Sequence, residues 1–131
     1  MPHGNQTVRV IDSNSTCPEI SIIEGGGNAK VVLWPGNGSE FRSMQLVRLE
    51  PAARTMLLRH TSDCVYYVVE GSGAVAGEDG SRQEIAEGSM VHIDAGDGYR
   101  IEAGSGGMRF LGGPCPPDPA LYAELTAEAG V

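Results

Sequence analysis

The sequence predicts an all-β fold, a sandwich or barrel finished by one short C-terminal helix. Three observations carry this. Short runs rich in β-branched and aromatic residues recur along the chain, glycine-bearing turn signals separate them, and only the end of the chain carries helix start and stop signals. The β runs are TVRVI, EISII, KVVLW, SMQLVRL, TMLLRH, VYYVV, MVHI, YRIEA and MRFL. The turn signals between them are GGGN at 25–28, PGNGS at 35–39, GSG at 71–73, GEDG at 77–80, AGDG at 95–98 and AGSGG at 103–107. The 19 glycines and 8 prolines therefore punctuate strands and form no low-complexity tract.

The chain has 131 residues, the size of one domain with an ordinary core. Residues 1–131 are read as a single domain, with an N-terminal arm at 1–16 and a helical tail at 117–131. No internal repeat or interdomain linker interrupts it. TVRVI is expected to pair with its own sheet or with a partner's edge. In PCPPDPALYAELTAEAG, Asp118 is placed to cap a helix and Pro119 suits the first helical position. Leu121 and Leu125 then fall on one face, and Gly130 is placed to close the helix. Such a helix is expected to pack on the barrel exterior or on a neighbouring subunit.

Lys and Arg number 9 against 17 Asp and Glu, a formal charge of −8. An acidic surface repels phosphate backbones and anionic lipid, so neither nucleic acid nor membrane is an expected partner. MPHGNQTVRVIDS lacks the apolar run of a signal peptide, and no stretch reaches membrane-spanning length. Cys17, Cys64 and Cys115 are odd in number and widely spaced, which suits free thiols in a reducing, cytoplasmic setting. None belongs to a CxxC pair, so a structural zinc site is not expected.

Side chains alternate across a strand. In TMLLRH, Met56, Leu58 and His60 share one face, while Leu57 and Arg59 share the other. A guanidinium is costly to bury unpaired, so the face with His60 is expected inside. In YRIEA, Tyr99 and Ile101 oppose Arg100 and Glu102; in CVYYVV, Cys64, Tyr66 and Val68 oppose Tyr67; in MVHI, Val91 and Ile93 oppose His92. The expected interior polar set is His60, Cys64, Tyr66 and Tyr99, framed by Met56, Leu58 and Ile101. Trp34 and Phe41 are expected in the core or the pocket wall.

These stretches resemble the cupins. The first cupin motif has a glycine, five residues, His-x-His, three or four residues, Glu, six residues and Gly. RTMLLRHTSDCVYYVVEG fits that frame when it closes on Gly71, which puts His60 at the second histidine, Leu58 at the first and Cys64 at the glutamate. The second motif has Gly, five residues, Pro-x-Gly, two residues, His, three residues and Asn. GSMVHIDAGDGYRIEA fits from Gly88, with Asp94 at the proline, Gly96 matched, Tyr99 at the histidine and Ala103 at the asparagine. The resemblance implies a double-stranded β-helix, or jelly-roll, barrel with a pocket opening at one end, and a homodimer. Only one of the four metal-binding positions is retained, so it does not carry over the family's metal chemistry.

A three-histidine site would need every histidine of the chain, yet His3 lies in a polar tail and His92 on the opposite strand face. An ion held by His60, Cys64 and Tyr99 is the alternative, an N/S/O set that suits zinc, copper or iron. Against it, Leu58 puts hydrocarbon at a ligand position, and a phenol must lose its proton to bind well. Without an ion, a buried His60 is a neutral base near pH 7. Tyr99 offers a hydrogen bond to a developing oxyanion, and Tyr66 does similar work or fixes the histidine's tautomer.

The same residues also have quieter readings. His60 and Tyr99 suit a satisfied polar core, and Cys64 suits a small buried hydrophobe. A Cys64 thiolate nucleophile lacks a nearby Lys or helix N-terminus to support it. Arg48, Arg54, Arg59 and Arg100 fall mostly on solvated faces.

The sequence thus predicts a metal-independent small-molecule enzyme of lyase, isomerase or cyclase type, with no cofactor. His60, Tyr99 and Tyr66 are its catalytic candidates. Met56, Leu58, Cys64, Ile101 and Trp34 are its substrate-binding candidates. The alternatives are a metal-dependent oxygenase on the His/Cys/Tyr set and a non-catalytic barrel that binds or senses a small molecule.

Overall fold

A computed structural model describes residues 8–15 and 17–129, with side chains through Thr126. His3 and the helix stop expected at Gly130 lie outside the described residues. The strands are β1 (Ile23–Glu24), β2 (Gly27–Leu33), β3 (Met44–Leu49), β4 (Arg54–Thr55), β5 (Cys64–Gly77), β6 (Arg82–Ala86), β7 (Met90–Ile93) and β8 (Tyr99–Pro114). A 3-10 turn at Pro119–Tyr122 leads into α1 (Ala123–Ala129). The all-β expectation therefore holds, and so does the single short helix at the end.

Every strand pairing is antiparallel. β5 and β8 organise the barrel because each serves both of its sheets. The first half of β5 pairs with β7 and with the second half of β8; its second half pairs with β6 and with the first half of β8. β3 and β2 extend one sheet beyond β8, and β4 flanks β8 in the other.

This corrects the role expected for two glycine tracts. GSG at 71–73 and AGSGG at 103–107 read as turns, but both strands run through them, with ladder shifts between Val68 and Glu70 and between Gly71 and Gly73. The glycines let two backbones cross closely where the strands change sheet. A Cβ at Gly73 would lie 1.9 Å from the carbonyl oxygen of Glu102, and Gly71 adopts φ +84°. The hairpin strand RQEIA, absent from the β runs read from the sequence, forms β6 by pairing across the true turn at 77–80.

Alternation sets the core as expected. Cys64, Tyr66 and Val68 of β5 are buried while Val65, Tyr67 and Val69 are exposed, and Val91 and Ile93 of β7 are buried while Met90 and His92 are exposed. Phe110 from β8 packs edge-on to Tyr66 with ring centroids 5.1 Å apart. Burying one such side chain contributes about 1.5–3 kcal/mol.

Three expectations fail where alternation stops. Met56 was placed inside and is 41% exposed. β4 ends at Thr55, and the ladder resumes only as an isolated bridge between Leu58 and Tyr99, so Met56 and Leu57 leave the pleat and both face outward in part. Residues 8–11 of TVRVI do not join this chain's own sheet, and Val8 and Val10 are exposed, so of the two expected pairings the one with its own sheet fails. Phe41, expected in the core or pocket wall, is 79% exposed in the loop before β3.

Candidate functional site

The Tyr99 hydroxyl is the hub of a buried polar cluster. Tyr99 opens β8, and its backbone exchanges both hydrogen bonds with Leu58, at 2.8 and 2.9 Å. That bridge fixes the height of Tyr99 against the next inward position, His60, whose carbonyl accepts from Gly96 N–H at 2.8 Å. The Tyr99 hydroxyl lies 2.7 Å from His60 Nε2, 2.6 Å from the Tyr66 hydroxyl and 3.7 Å from Cys64 Sγ. The four predicted polar residues do converge.

A fifth residue joins them. Asp118 Oδ2 lies 3.4 Å from His60 Nδ1, while Oδ1 accepts from Ala120 N–H at 3.1 Å as the expected helix cap. One carboxylate therefore starts the C-terminal helical segment and orients the histidine. The sequence signalled only the first role, because the two partners are 58 positions apart. Among the described residues no buried side-chain N or O lacks a partner.

The geometry assigns the protons. A carboxylate accepts, so His60 Nδ1–H donates to Asp118 and Nε2 is left to accept the Tyr99 hydroxyl. Tyr99 oxygen then accepts from the Tyr66 hydroxyl and, weakly, from the Cys64 thiol.

Burial dominates the electrostatics. It lowers the His60 pKa, partly offset by the hydrogen bond and charge of Asp118. It pushes the Cys64 thiol up to about 11 and raises Tyr66 and Tyr99 well above the ordinary phenol range. At neutral pH the cluster holds a neutral imidazole, two phenols and a thiol.

Two hollows flank this cluster. A cavity of about 590 Å³ opens between β6 and β7, and of the four predicted polar residues only Tyr99 is on its wall. The other hollow, a cleft of about 290 Å³, lies beneath the C-terminal helical segment and reaches His60 and Asp118. Among the substrate-binding candidates, Met56 and Leu58 line this outer cleft and not the barrel cavity. Cys64 and Ile101 are buried and do not line the cavity. Trp34 is on neither wall; its ring packs against Tyr122 with centroids 5.5 Å apart.

The ligand positions implied by the cupin resemblance hold Leu58, His60, Cys64 and Tyr99. They do not fit the family's usual set of three histidines and a carboxylate. Leu58 has no donor, the buried thiol and phenol hold their protons, and the free nitrogen of His60 is engaged by Tyr99.

Comparison with known proteins bears on the fold. No curated protein matches the sequence. The chain is similar to a predicted oxalate decarboxylase from Thermotoga maritima, 23% identical over 82% of this chain and 98% of that one, with a TM-score of 0.68. It is similar to an RmlC-like cupin from Shewanella frigidimarina, 16% identical over 83% and 92%, TM-score 0.66. It is also similar to the polyketide cyclase RemF from Streptomyces resistomycificus, 19% identical over 86% and 82%, TM-score 0.70. Residues 45–111, just over half of the chain, match the profile of the cupin domain. This chain, folded as a small β-barrel, belongs to the cupin family.

Proposed function

We propose that the barrel cavity houses a metal-independent acid–base reaction of lyase, isomerase or cyclase type, with Tyr99 as the group that meets the substrate. One observation supports this above the others: Tyr99 is on the cavity wall with the His60–Asp118 pair directly behind it. A tyrosine whose pKa is raised by burial is a poor base alone. Backed by His60, it need never become a phenolate.

The step balances as a relay. A substrate carbon acid or hydroxyl gives its proton to Tyr99 oxygen, displacing the weak thiol contact. In the same motion the Tyr99 hydroxyl proton passes to His60 Nε2. The substrate keeps the electron pair, Tyr99 stays neutral, and the new imidazolium is stabilised by Asp118. Run backwards, the relay returns a proton to the substrate. General acid–base catalysis of this kind contributes about 10²–10⁴-fold. The solved polyketide cyclase of the same fold is one instance of a barrel of this shape carrying a cyclase name.

A substrate-independent experiment tests the reading. Wild type is incubated in D₂O with enolisable ketones and the loss of the α-proton signal is followed by NMR. Acceleration that disappears in Tyr99→Phe and falls in His60→Gln is expected. Stoichiometric iron, zinc, copper or manganese in the purified protein, with exchange lost on chelation, would overturn it in favour of the His60/Cys64/Tyr99 oxygenase reading.

A further inference from the structure

We infer that the barrel cavity selects its substrate by charge: it takes an apolar organic molecule that is neutral or cationic and turns away carboxylates and phosphates. The inference rests on the reading of this cavity as the substrate site and adds the substrate class.

The cavity has two zones. Its deeper wall is hydrocarbon, with Val75, Ile85, Val91 and Ile93 beside Tyr99. Its mouth carries the carboxylates of Glu78, Asp79, Asp94 and Asp97, and among the described residues no Lys or Arg lines it. The Arg59 guanidinium beside Gly98 is already committed. Arg59 donates to both carboxylate oxygens of Glu78 and to the Gly96 carbonyl at 2.7 Å, so it cancels one mouth charge and its hydrogen bonds are taken up within the protein. The imidazole of His92 sits between Asp94 at 3.5 Å and Asp63 at 3.9 Å. Among the described residues Asp79 and Asp97 make no ion pair.

An anionic guest would pass this mouth against its field and then shed water beside a wall with no cation to replace it. With its proton donated to His60, the Tyr99 oxygen can accept from a guest hydroxyl or ammonium and supplies no counter-charge to an anion. A neutral or cationic guest meets neither penalty and keeps the apolar contact. The cavity is thereby set apart from a site for oxalate, a dianion.

Binding of a matched series tests this: 2-naphthol, 2-naphthylmethylamine and 2-naphthoate, with oxalate beside them. Backbone amide shifts of Ile85, Val91 and Ile93 report occupancy of the cavity. The phenol and the ammonium are expected to shift these amides, and naphthoate to bind about tenfold more weakly or worse in low salt. The gap should narrow as salt rises from about 10 mM to about 300 mM. It should also narrow in an Asp94→Asn/Asp97→Asn variant, whose changes fall on exposed side chains. Naphthoate binding as tightly as naphthol at low salt would overturn charge selection and leave the acid–base reading standing. If none of the four probes moves the cavity amides, the cavity is no ligand site and both readings fall.

Discussion

The two hollows on either side of the His60–Tyr99 pair differ in kind. The barrel cavity is the larger, about 590 Å³ against about 290 Å³, and its deep wall is built by strands whose alternation is regular. The outer cleft is built where regular structure ends: the break in the ladder at Met56, the segment at Ser21, and the C-terminal helix held there by Glu124, whose carboxylate accepts from Ser21 N–H at 2.7 Å. Tyr99 belongs to the first hollow and Asp118 to the second, with His60 bonded to both. The difference teaches that the interior polar set is not a patch on one wall. It is a chain of hydrogen bonds from Asp118 in the outer cleft through His60 to Tyr99, the one member that lines the barrel cavity.

The largest effect should come from cutting the chain at the cavity end. Tyr99→Phe keeps the ring and removes the hub, leaving His60 Nε2 and the Tyr66 hydroxyl without their shared partner. Exchange activity is expected to fall by about 10²–10⁴-fold. Stability should drop by about 1–3 kcal/mol in urea titration, because buried polar groups lose a bond. An unchanged rate would place the chemistry elsewhere.

Next comes the cleft end. Asp118→Asn retains a helix-capping side chain but removes the charge that supports an imidazolium. The rate is expected to fall about ten- to a hundredfold. Because Asp118 holds the His60 pKa up, its loss should also move the acid limb of the pH–rate profile to lower pH, which a purely structural role would not do. A fallen rate with an unmoved profile would reduce Asp118 to a helix cap.

A smaller effect concerns stability against pH. Burial lowers the His60 pKa in the folded chain from 6.5, so the unfolded chain takes up its proton first as the pH falls. The contribution is fully present above the unfolded value and is lost as pH falls through the folded one. Thermal unfolding followed from about pH 7.5 to pH 5 should show this decline in wild type and a shallower one in His60→Gln. Equal slopes would mean that His60 is not buried in neutral form.

The smallest effect separates the hollows themselves. Met56→Ala should cost less than about 0.5–1 kcal/mol, since the side chain is partly in solvent, and it should leave the binding of naphthol in the barrel unchanged. A core-sized loss of about 2–5 kcal/mol would put Met56 back inside.

How much of this was legible follows from where the rules apply. In CVYYVV and MVHI, period-two alternation assigned every inward side chain, because each inward residue of both segments is paired with a neighbouring strand. In TMLLRH the same rule placed Leu58 and His60 correctly and Met56 wrongly, because only one residue of that run is held in a bridge with β8. GSG and AGSGG misled for a related reason. A glycine marks a place where backbone needs room, and a strand crossing needs it as much as a turn does.

By itself the sequence determined the fold class, the inward polar set and the C-terminal helical segment capped by Asp118. Those depend on local propensity, alternation and capping, which act over a few residues. Only the tertiary structure decided that Asp118 reaches His60, that Tyr99 and not His60 is on the cavity wall, and that four carboxylates gather at the mouth. These are meetings of residues far apart in the chain, and they exist only once β5 and β8 have crossed between the sheets and closed the barrel.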